Sequence, residues 1–150
     1  LVQHDGFILN PQSWTDTFLE YDYIGAPWFV HDEFWFTRFN FPRALLNTTV
    51  VGNGGFSLRS KNFLETSKKL ANEGAFDTYH PEDLVICVWN RKIMEDTGIR
   101  FAPPEIAKLF SVEGHDHVYK DQFGFHGLQW TDISAWIQAN PEWDIKQIRK

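Results

Sequence analysis

A glycine-rich segment, Gly52-Asn53-Gly54-Gly55, is the feature that most constrains the fold of this chain. It lies between two strand-like runs, residues 49–51 and residues 56–59. Two interpretations are open. The segment can be a hairpin turn, or its missing side chains can let the backbone approach a sugar or phosphate where any β-carbon would collide.

The opening residues, Leu1-Val2-Gln3-His4-Asp5-Gly6-Phe7, predict a buried strand that brings the Asp5 carboxylate to its C-terminal end. In open α/β sheets, ligands bind outside the carboxyl ends of strands, so Asp5 is a candidate site residue. Gly6 would let backbone or ligand come close. The alternative is an ordinary aspartate at a strand-to-turn junction.

Two helices are predicted in the middle of the chain. The first begins at Asn62, where a capping box with Glu65 is expected, and ends at Gly74. The second begins after Pro81 and ends at Gly98, with Glu82 and Asp83 in its first turn. These acids can simply complement the helix dipole. The dipole would also keep Asp83 ionised near neutral pH, as a general base requires.

Aromatic residues make up 17% of the chain, more than packing needs, and seven of them fall within residues 28–41. Neither strand nor helix periodicity fits this segment, so we expect a loop rich in rings. It can be a hydrophobic lid on the core or a rim that binds an acceptor substrate.

Histidines are the candidate metal ligands. Phe123-Gly124-Phe125-His126-Gly127 holds one histidine in a small apolar frame, which suits a ligand of fixed orientation. His115 and His117 lie in a polar loop, where they can equally be solvated.

Composition narrows the class of protein. The 150 residues are enough for one domain, and the net charge of −6 argues against nucleic acid as a partner. An anionic ligand would therefore need a local cation, such as a divalent metal.

No apolar run approaches the roughly 18 residues of a transmembrane helix. The single cysteine, Cys87, has apolar neighbours and indicates a buried structural thiol in a reducing compartment.

The absence of a signal sequence and the cysteine usage together favour a cytoplasmic location, either free or at the cytoplasmic face of the membrane. Because the chain begins with Leu1 rather than Met, in an expected strand with nothing to cover it, we expect a fragment of a larger domain.

Four motifs in this order resemble a glycosyltransferase-like family of formally unknown function found in bacteria and fungi: Gln3-His4-Asp5-Gly6-Phe7, then Val51-Gly52-Asn53-Gly54-Gly55-Phe56-Ser57-Leu58-Arg59, then Glu82-Asp83-Leu84-Val85-Ile86-Cys87, then Phe123-Gly124-Phe125-His126-Gly127. More distantly, the chain is similar to metal-dependent, inverting transferases of the GT-A fold. Asp22-Tyr23-Ile24-Gly25-Ala26-Pro27-Trp28 fits the same pattern. The resemblance runs from residue 1 to about residue 127.

The resemblance implies an α/β fold with a GT-A-like mixed sheet and flanking helices, lacking the N-terminal Rossmann-like half. It implies a glycosyltransferase that moves a sugar from a nucleotide-sugar donor to a glycan or other hydroxyl acceptor with the help of Mn²⁺ or Mg²⁺. The implied residues are Asp83 as base with Glu82 beside it; Asp5 and His126 as metal ligands; and Gly54, Gly55, Asn53, Trp28 and Trp35 in substrate binding.

The chain departs from the usual Asp-x-Asp metal motif, because Gln3 stands where the first aspartate would be. Two other classes remain open. One is a non-catalytic carbohydrate-binding or interaction module, which would bind glycans without a metal. The other is a metal-dependent hydrolase that uses Asp5, His115, His117 and His126.

Overall fold

The computed structural model describes residues 1–114 and 118–142, and within them the chain is a mixed α/β protein with small sheets and several helices. The strands are β1 (Phe7–Ile8), β2 (Tyr23–Gly25), β3 (Pro27–Val30), β4 (Thr48–Val51), β5 (Ser57–Arg59), β6 (Ser111–Val112) and β7 (Gly124–Phe125). The α-helices are α1 (Glu33–Phe39), α2 (Lys61–Asn72), α3 (Glu82–Leu84), α4 (Arg91–Asp96), α5 (Pro104–Phe110) and α6 (Ser134–Ala139).

The strands pair in three separate sheets. One sheet has the order β1-β7-β6 and is mixed, because β7 is antiparallel to β1 and parallel to β6. The other two are antiparallel pairs, β2 with β5 and β3 with β4. Since β4 and β5 belong to different sheets, the hairpin interpretation of the glycine segment is wrong. Residues 52–55 instead cross from one sheet to another.

The predicted opening strand is also wrong in its position. Leu1 and Val2 are 55% and 58% exposed, and strand β1 begins only at Phe7. His4 and Asp5 form a turn ahead of this strand. Asp5 therefore enters the site from the beginning of a strand and not from its end.

Residues 28–41 are not the predicted loop. They form β3, a short connection, helix α1 and the residues that follow it. Asp32 caps α1 by accepting a hydrogen bond from the Phe34 amide at 3.0 Å, and Asn40 ends the helix in the left-handed conformation. The aromatic side chains of this segment pack with one another in a cluster that includes Trp28, Trp35 and Phe41.

The first predicted middle helix is present with changed ends, and the second is divided into three elements. The first is α2, but its cap is Ser60, whose hydroxyl accepts from the Phe63 amide at 2.9 Å, and not Asn62. After Pro81 the chain forms α3 and then a π-helix, Val85–Trp89. The π turn is closed by Asn90, whose amide and side chain donate to the Val85 carbonyl at 3.0 and 2.9 Å. Helix α4 follows as a separate element.

The largest core cluster lies between β2, β5, α2, α5 and the π-helix and includes Phe18, Tyr23, Phe63 and Met94. Cys87 is fully buried there, and burial raises the pKa of its thiol to about 12, as expected for a structural cysteine. Among the described residues, no helix combines the length and apolar character needed to cross a bilayer.

Candidate functional site

Three strand ends meet at one edge of the mixed sheet and bring polar side chains together. Strands β6 and β7 run parallel with Val112 opposite Phe125, so Glu113 and His126, the next residue on each strand, leave the sheet side by side. Strand β1 runs antiparallel to β7 with Phe7 opposite Phe125, which brings the residues just before β1 to the same edge. Asp5 is among them.

His126 is held between carboxylates on its two nitrogens. Nδ1 lies 2.7 Å from Glu113 Oε1, and Nε2 lies 3.1 Å from Asp5 Oδ1. The Gln3 side-chain oxygen is also 3.1 Å from Nε2. Burial lowers the pKa of His126, but the Glu113 hydrogen bond and charge, aided by Asp5, outweigh burial and raise it overall.

Glu113 connects this histidine to two other parts of the molecule. Its Oε2 accepts from Trp28 Nε1 at 2.9 Å and from Asn53 Nδ2 at 2.5 Å. The Glu113 side chain is only 11% exposed, and its carboxylate contacts His126, Trp28 and Asn53 within the protein. The sequence interpretation did not identify Glu113. A signal for it was present, because Glu113 and His126 each follow a short apolar run, but the parallel pairing of the two strands is not visible in the sequence.

The glycine segment passes close to His126 and to the acidic pair. A β-carbon on Gly55 would lie 2.0 Å from His126 Nε2. A β-carbon on Gly54 would lie 2.8 Å from a Glu82 carboxylate oxygen and 3.0 Å from Asp83 Cβ. These two positions therefore require glycine because neighbouring side chains of the protein approach the backbone closely. The approach of a sugar or phosphate to this segment stays a prediction.

Polar contacts fix the position of the segment. The buried Tyr23 hydroxyl lies 2.8 Å from the carbonyl oxygens of both Gly52 and Asn53. Arg59 Nη2 donates to the Gly54 carbonyl at 3.2 Å and to Glu82 at 3.0 Å. The glycine segment is therefore bound to the core through Tyr23 and linked to Glu82 through Arg59.

Asp83 lies beside the segment, half-buried at the start of α3. Its Oδ2 accepts from the Gly54 amide at 3.3 Å and its Oδ1 from the Leu84 amide at 2.9 Å. Burial, followed by the charges of Glu82 and Glu113, raises the pKa of Asp83 despite these hydrogen bonds. Desolvation therefore opposes the effect of the helix dipole on Asp83, and its ionisation near neutral pH stays a prediction.

The predicted residues line or border one cleft of about 710 Å³, within the usual range for small-molecule sites. Its polar lining includes Gln3, Asn53, Asp83, Glu113 and His126. Its aromatic lining consists of Trp28, Phe29, Phe34, Trp35, Phe39 and Trp130. Asp5, Gly54 and Glu82 lie immediately behind this lining, in contact with His126, Asp83 and Arg59.

No lysine or arginine lines the cleft within residues 1–114 and 118–142. Acidic side chains do, so an anionic group would meet a negative surface. A phosphate-bearing ligand would therefore need a cation to accompany it.

The donor atoms around His126 Nε2 suit such a cation. The Asp5 carboxylate oxygen and the Gln3 amide oxygen each lie 3.1 Å from this imidazole nitrogen. No group of three or more His, Cys, Asp or Glu side chains arranged for a metal is found among the described residues, because the third donor is an amide and Glu113 occupies the opposite nitrogen. His115 and His117 lie outside the described residues.

Comparison with known proteins identifies the family. The family described as protein of unknown function (DUF5672) matches residues 1–126, so the chain belongs to that family. No curated protein and no solved structure matches the chain.

Proposed function

We propose that this member of the DUF5672 family is an inverting, divalent-metal-dependent glycosyltransferase that uses a nucleotide-sugar donor and a hydroxyl acceptor. One observation carries the proposal: the half-buried Asp83 carboxylate, Gly55, and the Gln3 and His126 members of an Asp5–Gln3–His126 donor set line a single aromatic cleft without a lysine or arginine in its described lining. A diphosphate leaving group needs positive charge as its bond breaks. In this cleft, a bound metal ion is the available source.

Asp83 is assigned as the general base. It would accept the acceptor hydroxyl proton while the acceptor oxygen forms its bond to the anomeric carbon. The bond from that carbon to the diphosphate breaks with its electron pair, and attack from the opposite face inverts the centre. The raised pKa of Asp83 makes its ionised form a stronger base than an exposed carboxylate.

Asp5, Gln3 and His126 would hold Mn²⁺ or Mg²⁺, which supplies Lewis-acid stabilisation of the departing diphosphate when bound. The donor would lie along the backbone of the glycine segment, where Gly55 and Asn53 line the cleft and Gly54 contacts Asp83. Asn53 is also hydrogen-bonded to Glu113. Trp28 and Trp35 form an apolar wall against which a sugar ring can stack. The architecture proposed with this function is the catalytic half of a GT-A fold.

The test uses the full-length protein with a panel of nucleotide sugars, with and without Mn²⁺, and measures release of nucleoside diphosphate. We expect release that requires metal. Asp83→Asn should lower turnover about 10²–10⁴-fold and leave donor binding nearly intact. Normal turnover in Asp83→Asn would show that Asp83 has only a structural role. Absence of nucleoside diphosphate release with every donor would overturn the proposal.

A second function, non-catalytic carbohydrate binding, is favoured by the aromatic rings at the cleft mouth. Phe29 and Phe34 are 43% and 53% exposed, so their rings are available to a neutral glycan. This alternative predicts glycan binding that is unchanged by EDTA and no diphosphate release. Loss of binding in EDTA would exclude it.

A further inference from the structure

Glu113 lies where the candidate metal site, the glycine segment and the aromatic wall meet. One carboxylate oxygen is 2.7 Å from His126 Nδ1, and the other accepts from Asn53 and Trp28. These partners come from the residue after β7, from the segment after β4 and from β3. Few side chains could influence all three at once.

The hydrogen-bond pattern sets which nitrogen of His126 carries the proton. Asn53 Nδ2 carries two hydrogens and donates one of them to Glu113 Oε2 at 2.5 Å, and its contact with His126 Nδ1 is longer at 3.3 Å. A carboxylate oxygen only accepts, so the 2.7 Å contact with Glu113 Oε1 places a hydrogen on Nδ1. The contact on the other nitrogen, to Asp5, is longer at 3.1 Å. A neutral His126 with hydrogen on Nδ1 has a free lone pair on Nε2, directed at Asp5 and Gln3.

We propose that Glu113 is a positioning residue that fixes His126 in the Nδ1–H form and so presents Nε2 as a metal ligand. This inference rests on the proposed function for its metal step. Carboxylates that hold the second nitrogen of a ligating histidine orient the ring and raise its basicity, and their loss typically costs 10–100-fold in metal affinity. Glu113 also ties the ring to Trp28, which couples the metal site to the aromatic wall.

Glu113→Gln is the decisive variant because it keeps the shape and changes the donor pattern. Asn53 and Trp28 both donate toward one end of this side chain, so the amide oxygen should turn to them. The amide nitrogen then faces His126 Nδ1 and donates to it, which moves the proton of the neutral ring to Nε2. That nitrogen would no longer be available to a cation.

The experiment has two readouts on purified protein. Nitrogen-15 NMR of the metal-free protein at alkaline pH, where the ring is neutral, reports the proton position on His126. Calorimetric titration with Mn²⁺ reports affinity. We expect Nδ1–H in the wild type, Nε2–H in Glu113→Gln, and a 10–100-fold weaker Mn²⁺ affinity in the variant. Glu105→Gln, an exposed glutamate in the first turn of α5, is the matched control and should change neither.

An Nε2–H wild-type ring overturns the proposal, and this holds even where Glu113→Gln does not fold. Unchanged Mn²⁺ affinity and an unchanged Nδ1–H ring in a folded Glu113→Gln also overturn it. Should the wild type bind no Mn²⁺, the metal step of the proposed function fails. The proton position still decides whether Glu113 orients His126.

Discussion

Gly55→Ala should disable the candidate site through one added methyl group. The new β-carbon would lie 2.0, 2.2 and 2.3 Å from three atoms of the His126 ring. Ordinary contact begins at 3.4 Å, so the separation from Nε2 must grow by 3.4 − 2.0 = 1.4 Å. Glu113 holds the ring at Nδ1 and Asp5 contacts it at Nε2, so moving the ring would disturb both contacts.

The size of the effect follows from this displacement. Overpacking a well-filled site costs about 1–3 kcal/mol of unfolding free energy, or roughly 2–4 °C of Tm for each kcal/mol in a chain of this size. A misplacement of about 1 Å at a reacting centre can cost on the order of 10²-fold in rate. We therefore expect a modest loss of stability, a weaker Mn²⁺ affinity and a turnover lower by about two orders of magnitude.

The control is Gly74→Ala. A β-carbon there meets open space, but the φ of +74° is a left-handed conformation, which costs alanine about 1–2 kcal/mol. Its loss of stability should match that of Gly55→Ala without any change in metal affinity or turnover. Thermal unfolding, Mn²⁺ titration and diphosphate release are measured on all three proteins. A folded Gly55→Ala with wild-type affinity and turnover would refute the close approach of this segment to His126.

Three further results are expected. Because the pKa of Asp83 is raised on folding, its protonated form stabilises the folded protein. This contribution is complete below pH 3.8 and is lost as pH rises through the raised pKa. Asp83→Asn should therefore melt higher than the wild type at neutral pH, with the difference vanishing on acidification. Glu113 raises the pKa of His126 despite burial, so protonated His126 stabilises the folded protein. This contribution is complete below pH 6.5 and is lost as pH rises through the raised pKa. His126→Gln should flatten this part of the wild-type pH profile of unfolding in EDTA. Arg59→Met removes the hydrogen bonds of a guanidinium that is 10% exposed, including the one to Glu82, and should cost about 1–3 kcal/mol in urea unfolding.

Local sequence signals predicted those parts of the molecule that depend on neighbouring residues. The proline before α3, the glycine segment and the histidine framed by Gly124 and Gly127 each act over a few positions. Asp5 and His126 were proposed as partners, and their side chains lie 3.1 Å apart. Their role as metal ligands remains a prediction.

Other features depend on residues that are distant in the chain. Glu113 joined the site only because β6 and β7 pair in parallel, and no local pattern encodes that register. The raised pKa of Asp83 comes from burial, which a helix-dipole argument based on α3 alone leaves out. Helix α1 was missed because its aromatic residues face several neighbours at once, which hides the helical period.

The direction in which the Asp83 side chain points depends on the number of residues in the π-helix that follows it. Residues 85–89 contain the wider turn that separates α3, which carries Asp83, from α4. Deleting one residue here would restore an ordinary helical turn and rotate everything before it by about 100° relative to α4. The Asp83 carboxylate would then swing away from Gly54, whereas exchanging half-buried Ile86 for another apolar residue would leave it in place. The number of residues in this turn therefore constrains the site more tightly than the identity of Ile86 does.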